Sequence, residues 1–314
     1  MPEAFPPLLV IAGATATGKT QLSLALADAL GDVEIISADS RQVFRGMDIG
    51  TAKVAAADRA RIPHFGLDVV DPDAGFTAAD FQRHAYSVLP GIAARGGMGI
   101  LVGGTGLYLR AVARGVPFDE ASVDARLRAA LEARLEAEGL AALAEELRRV
   151  APTIAAHTDL ANPRRVVRAL ERARLVGDTL PEPPRGYPGP MTWLGLHVGV
   201  EIGRQRILDR AAGQFASGLV EEAVALRERF GTPPRAFSAF GYFEALDLAD
   251  GRLDREAALA GTVGRTLAYA RRQRTWFRGE RGIGWLPAGE DPLPMALSVA
   301  RRLRDGVAYP VARP

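Results

Sequence analysis

A chain of 314 residues with 48% hydrophobic residues is long enough for one large α/β domain or two smaller ones. It contains no cysteine, which excludes disulfides, thiolate metal sites and a cysteine nucleophile, and its four histidines show no spacing typical of zinc ligands. Only two of the 39 basic residues are lysine, so Lys19 and Lys53 indicate positions that need a compact ammonium group.

The N-terminal residues MPEAFPP lack the basic region and the apolar run of a signal peptide. No stretch of the sequence approaches the roughly 18 apolar residues that span a bilayer. We therefore expect a cytoplasmic protein without a membrane segment.

Short apolar runs alternate with helical patterns in the first third of the chain. Leu8–Ala12 ends at a glycine-rich loop, and apolar residues at helical spacing follow over Gln21–Leu30. Val33–Ser37 and Gly99–Val102 are two further buried strands by composition. Strands of this kind separated by helices predict an α/β fold: a doubly wound parallel P-loop sheet flanked by helices, with ligands at the carboxyl ends of its strands.

The middle of the chain differs from the first third in composition. From Ser122 to about Val176 it is rich in Ala, Leu, Arg and Glu at helical spacing, which predicts an inserted all-helical domain. A proline-rich linker follows over Pro181–Pro190, and Thr192–Val198 is predicted to return to the sheet.

These patterns predict a division of the chain into domains. The P-loop core is expected in two parts, with the helical insertion between them and a C-terminal extension that has no assigned function; the predicted bounds are 1–117 and 191–290 for the core, 118–190 for the insertion and 291–314 for the extension.

The segment GATATGKT matches the phosphate-binding pattern G-x4-G-K-S/T completely and lies between a predicted strand and a predicted helix. Backbone N–H groups and the helix N-terminus would hold phosphate oxygens, with Lys19 as a point charge and Thr20 near phosphate or magnesium. The sequence therefore predicts a ligand that carries a chain of phosphates.

A P-loop ATPase normally has an acidic metal-binding residue at the end of a nearby strand. Here the strand over 99–102 ends in Gly103 and Gly104, and the acid at a strand end is Asp39. A carboxylate there suits acceptance of a proton from a nucleophile, although the same residue type is also common as a helix cap or turn residue.

Seven blocks of the sequence resemble the bacterial tRNA dimethylallyltransferase family, in family order. They are ISADSRQVFRGMDIGTAK (Ile36–Lys53), GFTAADFQRHA (Gly75–Ala85), LVGGTGLYLRAV (Leu101–Val112), NPRRVVRALE (Asn162–Glu171), ASGLVEEA (Ala216–Ala223), FGYFEAL (Phe240–Leu246) and ARRQRTWFR (Ala270–Arg278). The resemblance extends from about Leu8 to Trp285, and the first block is far more specific than the P-loop alone.

The resemblance implies transfer of a dimethylallyl group from dimethylallyl diphosphate to the exocyclic amine, N6, of the adenosine 3′ to the anticodon of tRNA. Diphosphate would be released. The implied catalytic residues are Asp39 as general base, Lys19, Thr20 and Thr105, with Mg²⁺ as cofactor near Thr20. The implied diphosphate site is Gly13, Ala14, Thr15, Ala16, Thr17, Gly18, Lys19 and Thr20.

The resemblance also implies contacts with the tRNA anticodon stem-loop, and it assigns an anticodon-loop contact to the helical insertion. The implied residues are Asp39, Ser40, Arg41, Gln42, Thr105, Arg126, Pro163, Arg164, Arg165, Val166, Val167, Arg168, Gly241, Tyr242, Arg272 and Gln273. The alternative interpretation is that Arg41 and Gln42 simply belong to a solvated loop and have no specific function.

Basic and aromatic residues give independent support for RNA binding. Arg164, Arg168 and Arg172 fall on one helix face. No acidic residue follows Glu256 in the stretch that carries a second basic cluster, Arg265, Arg271, Arg272, Arg274 and Arg278. In an arginine-rich chain each cluster is also explained by a solvated helix face. Tyr242, Phe240 and Trp276 are candidates to stack on bases, although aromatic residues at such positions are often core.

The sequence departs from the family pattern at three positions. Val200 and Leu267 stand where an arginine is expected, and Phe243 replaces a basic residue. If the missing arginines hold diphosphate in relatives, then a substitute must come from Arg204, Arg206 or Arg210.

Three other functions compete with prenyl transfer to tRNA. They are a small-molecule P-loop kinase, an isopentenyltransferase acting on free adenine nucleotides, and a non-catalytic RNA-binding module that uses the P-loop as a nucleotide switch. The missing strand-end acid argues against the kinase, and the arginine-bearing insertion argues against the free-nucleotide enzyme. We expect a monomer with no obligate protein partner, since nothing in the predicted site requires a second chain.

Overall fold

The computed structural model describes residues 5–231, 235–287 and 289–307. The chain forms two compact units. The first contains the chain up to Gly115 and again from Gly186 onward, and the second is Val116–Arg185. The predicted insertion over 118–190 lies a few residues downstream of this second unit, because the proline-rich linker is divided between the two units.

Six parallel strands form the sheet of the first unit. They are β1 (Leu8–Gly13), β2 (Val33–Ser37), β3 (His64–Phe65), β4 (Met98–Gly103), β5 (Met191–Leu196) and β6 (Ile283–Trp285), in the spatial order β3-β2-β4-β1-β5-β6. The central β1 pairs with β4 on one side and with β5 on the other.

Twelve α-helices accompany the strands in the described part of the chain. They are α1 (Lys19–Leu30), α2 (Ala56–Arg61), α3 (Ala78–Ala94), α4 (Gly106–Ala113), α5 (Ala125–Val150, interrupted at Gly139), α6 (Pro152–Ala156), α7 (Pro163–Val176), α8 (Val200–Ala216), α9 (Leu219–Phe230), α10 (Tyr242–Ala249), α11 (Arg255–Arg278) and α12 (Leu293–Arg304).

Both faces of the sheet are buried, as expected for parallel strands covered by helices. Alternate residues of the central strands pack with α1 and α12 on one face, among them Leu9 and Ile11 of β1. Helices α3, α4 and α11 contact the strands as well. Because β2, β4 and β1 are adjacent and parallel, their carboxyl ends lie at one edge of the sheet. The P-loop begins at this edge.

Helix α12 differs from the sequence-based expectation of a separate extension. Its Ala296, Val299 and Leu303 belong to the same buried cluster as the strands, so Leu293–Arg304 is part of the first unit. The remainder of the predicted extension, 308–314, lies outside the described residues.

The second unit consists of α5, α6 and α7 around a small apolar core that includes Leu131, Leu147 and Leu170. Within it Glu171 is fully buried and accepts hydrogen bonds from Arg128 and Arg168. Burial alone would raise the pKa of Glu171, but these hydrogen bonds and one from a backbone N–H hold it below its usual value. The ion-paired carboxylate ties α5 to α7.

Among the described residues, no helix combines the length and the apolar character needed to cross a membrane.

Candidate active site at the P-loop

The P-loop connects β1 to α1 and folds as the sequence predicts. Gly18 precedes α1 with a φ of 93°, a left-handed conformation that favours glycine. The Thr17 hydroxyl and the Lys19 ammonium both donate to the carbonyl oxygen of Ala14, at 2.9 and 2.7 Å. These bonds curl the loop over the first turn of α1, whose free N–H groups form an anion site.

Lys19 is held in a partly desolvated, cation-rich environment. Burial, with a further contribution from the neighbouring Arg210, lowers its pKa from 10.5 to about 8, while the Asp39 carboxylate acts in the opposite direction. An anionic ligand at the loop would offset both the desolvation and the repulsion. The site is therefore built for negative charge.

Two arginines one turn apart on α8 reach the P-loop. Arg206 Nη1 donates to the Ala16 carbonyl oxygen at 3.4 Å, and Arg210 Nη1 donates to Thr15 Oγ1 at 3.2 Å. Burial lowers the pKa of Arg210, and the charge of Asp39 opposes that effect. Of the three arginines considered as substitutes for the one missing at Val200, these two donate hydrogen bonds to the P-loop, whereas Arg204 lines a neighbouring cavity on the other side of the loop residues Thr15 and Thr17, beside Leu267.

Gln273 of α11 explains the glycine at position 104, directly after β4. Its Oε1 accepts a hydrogen bond from the Thr15 N–H at 2.8 Å, and its Nε2 donates to the Gly104 carbonyl oxygen at 2.8 Å. A Cβ atom on Gly104 would overlap the Gln273 side chain. The space expected for a metal-binding acid is thus occupied by Gln273, whose side chain connects the P-loop to the end of β4.

Asp39 lies in a turn at the carboxyl end of β2. Its Oδ1 accepts a hydrogen bond from the Arg41 N–H at 2.8 Å, as in an Asx turn. Thr105 fixes the same turn, because its Oγ1 accepts from the Ser40 N–H at 3.0 Å and its own N–H donates to the Ala38 carbonyl oxygen. The turn interpretation and the functional interpretation of Asp39 are therefore compatible.

Tyr269 is a residue of this site that the sequence did not single out. Burial raises the pKa of its hydroxyl and the charge of Asp39 raises it further, while hydrogen bonds with Thr105 and Gln273 lower it. Tyr269 and Gln273 are four residues apart on α11, so they lie on one helix face. This spacing of four residues is the sequence feature that could have identified Tyr269. The sequence interpretation instead relied on the arginines of the same block.

Gln42 lines the cavity with its amide already held by the protein. Its Oε1 accepts from Ser37 Oγ at 2.8 Å, and its Nε2 donates to the carbonyl oxygens of Thr51 and Ala52 at 3.1 and 3.2 Å. Both amide hydrogens are engaged, so the oxygen retains the only spare capacity for a ligand. Arg41 is half-buried beside it.

These residues surround one cavity of about 290 Å³ in the first unit. Its lining brings together most of the predicted residues of the sheet domain, namely Thr15, Ala16, Thr17, Gly18, Lys19, Thr20, Asp39, Ser40, Arg41, Gln42, Arg272 and Gln273. Arg210 and Tyr269 join them. A phosphate site and a carboxylate therefore share one space.

Several residues with an implied RNA contact have buried side chains. Tyr242 is 0% exposed and donates a hydrogen bond to Glu222 Oε1, and Gln273 is 6% exposed with its amide in use. In the second unit Val166 and Val167 belong to the apolar core. In this structure the side chains of Tyr242, Val166 and Val167 are enclosed by protein and present no surface to RNA, whereas Gln273 still lines the cavity.

The arginine stripe of α7 is also divided. Arg168 donates to Ser122 and Glu171, and Arg172 donates to Thr179 and Asp119, so both brace the second unit. Arg164 is exposed, and Arg165 is 66% exposed in a loose 3.6 Å ion pair with Asp159. Only Arg164 and Arg165 at the start of α7 retain side chains suited to a phosphate backbone.

The other predicted positions have local structural explanations. Gly241 has a φ of 98° at the start of α10, and Trp276 is covered by the guanidinium of Arg110, 4.5 Å from the ring centroid. Phe240 packs on Tyr269 with ring centroids 5.1 Å apart. Arg126 and Pro163 occupy the first turns of α5 and α7, respectively.

Comparison with known proteins gives one consistent family. The IPP transferase family model matches residues 42–280, which is more than half of the chain. The tRNA dimethylallyltransferase of Geobacillus thermodenitrificans is 38% identical over 301 residues, 95% of both chains. The enzyme of that name from Roseiflexus castenholzii is 42% identical over 305 residues, 95% of this chain and 99% of that one.

A solved structure agrees with the sequence comparison. The full-length tRNA isopentenylpyrophosphate transferase of Bacillus halodurans superimposes with a TM-score of 0.70 at 35% identity and covers 95% of both chains. The predicted resemblance and the predicted parallel P-loop fold are both confirmed. The chain belongs to the IPP transferase family.

Proposed function

We propose that the protein transfers a dimethylallyl group from dimethylallyl diphosphate to N6 of the adenosine 3′ to the anticodon of tRNA and releases diphosphate. The observation that carries this proposal is the single cavity in which Lys19 and Arg210 face Asp39. One end of that cavity suits a leaving diphosphate and the other suits an amine. The names of the relatives support the same reaction.

The donor's diphosphate would lie in the P-loop. Backbone N–H groups at the start of α1, the Lys19 ammonium and the Arg210 guanidinium, which lie at the loop, would donate hydrogen bonds to its oxygens. Negative charge builds up on the diphosphate as the bond between C1 and oxygen breaks. Fixed positive groups in a partly desolvated site stabilise that charge without reorganising.

Asp39 would act on the acceptor amine. The new bond joins N6 of adenosine to C1 of the dimethylallyl group, the electron pair of the broken C–O bond leaves on diphosphate, and one N6 proton passes to the Asp39 carboxylate. Thr105 and the Arg41 N–H hold the turn that carries this carboxylate. The reaction needs no nucleophilic side chain, in agreement with a chain that lacks cysteine.

The residues present fit Mg²⁺ only as a companion of the diphosphate. Among the described residues, no group of three or more His, Cys, Asp or Glu side chains is placed to hold a metal ion. Thr20 at the first turn of α1 is exposed to the cavity, so its hydroxyl is available to a metal that the diphosphate oxygens bring. Bound there, Mg²⁺ would neutralise charge on the leaving group.

Recognition of tRNA would involve both units. Arg41 and Arg272 line the cavity, and Arg164 and Arg165 offer exposed guanidinium groups in the second unit.

A transfer experiment tests the proposed reaction. Radiolabelled dimethylallyl diphosphate is incubated with the protein and unmodified tRNA, and γ-labelled ATP serves as the control donor. The proposal expects label from the prenyl donor on tRNA and none from ATP. Label from ATP on an acceptor would point to a kinase, and the absence of prenyl transfer would refute the proposal.

A further inference from the structure

Lys53, the second lysine of the chain, is buried at the end of the most specific sequence block. Its side chain is 1% exposed, and its ammonium donates to the Phe44 carbonyl oxygen at 2.6 Å, to Asp48 Oδ1 at 2.8 Å and to Asp68 Oδ1 at 2.6 Å. Three acceptors thus satisfy its three donors. Planar guanidinium geometry does not match three acceptors converging on one atom, which explains a lysine here.

Glu222 of α9 binds the same segment from the opposite direction. Its Oε2 accepts from the N–H groups of Asp48 and Ile49 at 3.0 and 2.8 Å, and its Oε1 accepts from the Gly50 N–H at 3.2 Å. Tyr242 adds a hydrogen bond to Oε1 at 2.5 Å. One carboxylate therefore captures three consecutive backbone donors, in charge-assisted bonds.

Two further contacts complete this arrangement. Gln214 Nε2 donates to the carbonyl oxygens of Ile49 and Gly50 at 2.8 and 2.9 Å. The ring of Tyr242 packs against Gly50 so closely that a Cβ atom there would overlap it. Both polar sides of the segment are thereby fixed by α8, α9 and α10.

The segment Asp48–Lys53 forms part of the cavity wall. Gly50, Thr51 and Ala52 line the cavity, and the carbonyl oxygens of Thr51 and Ala52 accept both amide hydrogens of Gln42. The orientation of the Gln42 amide therefore depends on where this segment lies. A shift of the segment would free or rotate the amide at the proposed acceptor end of the site.

We propose that Lys53 and Glu222 are positioning residues that hold the segment Asp48–Lys53 in place, so that Gln42 presents its carbonyl oxygen toward the acceptor nucleobase. Neither residue touches substrate in this proposal. Tyr242 helps to hold the same segment and does not form part of an RNA-stacking surface. The proposal rests on the proposed function for its kinetic consequence but not for its structural one.

The test uses Glu222→Gln, with Glu221→Gln as the matched control. Glu221 is the preceding carboxylate on α9 and is exposed. Loss of the charged acceptor is expected to speed hydrogen exchange at the amides of residues 48–50 about tenfold or more. The KM for an anticodon stem-loop should rise by a similar factor, about tenfold, while the KM for dimethylallyl diphosphate stays within about twofold.

Each outcome has one meaning. Faster exchange at residues 48–50 together with a selective rise in the acceptor KM supports the proposal, provided that Glu221→Gln behaves like the wild type. Wild-type exchange in Glu222→Gln, or an equal rise in both KM values, overturns it. If Glu222→Gln fails to fold, then Gln214→Ala, which removes the two carbonyl contacts, is judged by the same criteria. If the wild type transfers no prenyl group, the proposed function fails, and exchange alone still decides the positioning claim.

Discussion

Asp39 occupies a turn where hydrogen bonds fix the backbone and leave a carboxylate in the cavity. Asp39 can therefore contribute in two ways, by holding the turn and by accepting a proton, and the sequence pattern does not distinguish between them. An asparagine keeps an oxygen for the Arg41 N–H but is a very weak base. The two contributions can therefore be separated by a single substitution.

We predict that Asp39→Asn lowers kcat by about 10²- to 10⁴-fold, the usual range for a general base, while tRNA affinity stays nearly unchanged. Single-turnover kinetics and a tRNA binding assay measure the two quantities. Asp73→Asn, at an exposed loop position, is the charge-matched control. Unchanged turnover in Asp39→Asn would remove the proposed role of this carboxylate.

The lowered pKa of Lys19 gives the site a pH dependence. The folded protein binds this proton less tightly than the unfolded chain, so between about 8 and 10.5 folding stability rises with pH. Ligand binding has the opposite sign, because an anionic diphosphate favours the charged ammonium.

Donor affinity is accordingly expected to fall as the pH rises through about 8, and donor binding near that pH should take up protons. Calorimetry in buffers of different ionisation enthalpy measures the uptake. In Lys19→Met the pH-dependent step should disappear along with much of the affinity. An uptake that persists in this variant would assign the titration to another group.

At the scale of single elements, α8 provides the arginines that the family pattern leaves open. Arg206 and Arg210 are one turn apart and reach the P-loop, whereas Arg204 lies on another face of the helix. The spacing of four residues is visible in the sequence, but the helix face that meets the P-loop is decided by tertiary packing.

Arg210→Ala should raise the KM for dimethylallyl diphosphate by about 10- to 100-fold, since a hydrogen bond to a charged group contributes about 1.5–3 kcal/mol. Steady-state kinetics with varied donor measures this change. Arg204→Ala on the same helix should stay within about twofold of the wild type. A larger effect of Arg204→Ala than of Arg210→Ala would contradict this assignment of the substitute arginine.

Helix α7 shows a similar division between function and stability. The start of the helix carries the exposed Arg164 and Arg165, while Arg168 is bound to Glu171 inside the second unit. The sequence periodicity grouped Arg164 with Arg168 because both lie on one face. The burial of Glu171, which gives Arg168 a structural role that Arg164 lacks, was not evident from the sequence pattern.

The double variant Arg164→Ala/Arg165→Ala should weaken tRNA binding and reduce the slope of log affinity against log salt by about one for each lost phosphate contact. Its melting temperature should match the wild type. Arg168→Ala should instead lower the melting temperature, because it removes a partner of the buried Glu171. A flat salt response in the wild type would argue against backbone contacts altogether.

Across the whole molecule, the sequence predicts the parts of the fold that have strong local signals. Apolar runs identify β1, β2, β4 and β5, whereas β3 and β6 have two and three residues, too few for a detectable pattern. Helix α12 is amphipathic, but the strands that it covers lie far away in the sequence. The P-loop and Asp39 follow from motifs, while Tyr269, Arg210 and the buried state of Tyr242 depend on how helices pack against the sheet.

The identity of the product tests the proposed reaction most directly. Unmodified anticodon stem-loop RNA is incubated with the protein and dimethylallyl diphosphate, digested, and mapped by mass spectrometry. We predict one added isopentenyl unit on N6 of the adenosine immediately 3′ to the anticodon. No mass gain, or an addition at any other nucleotide or atom, would contradict it.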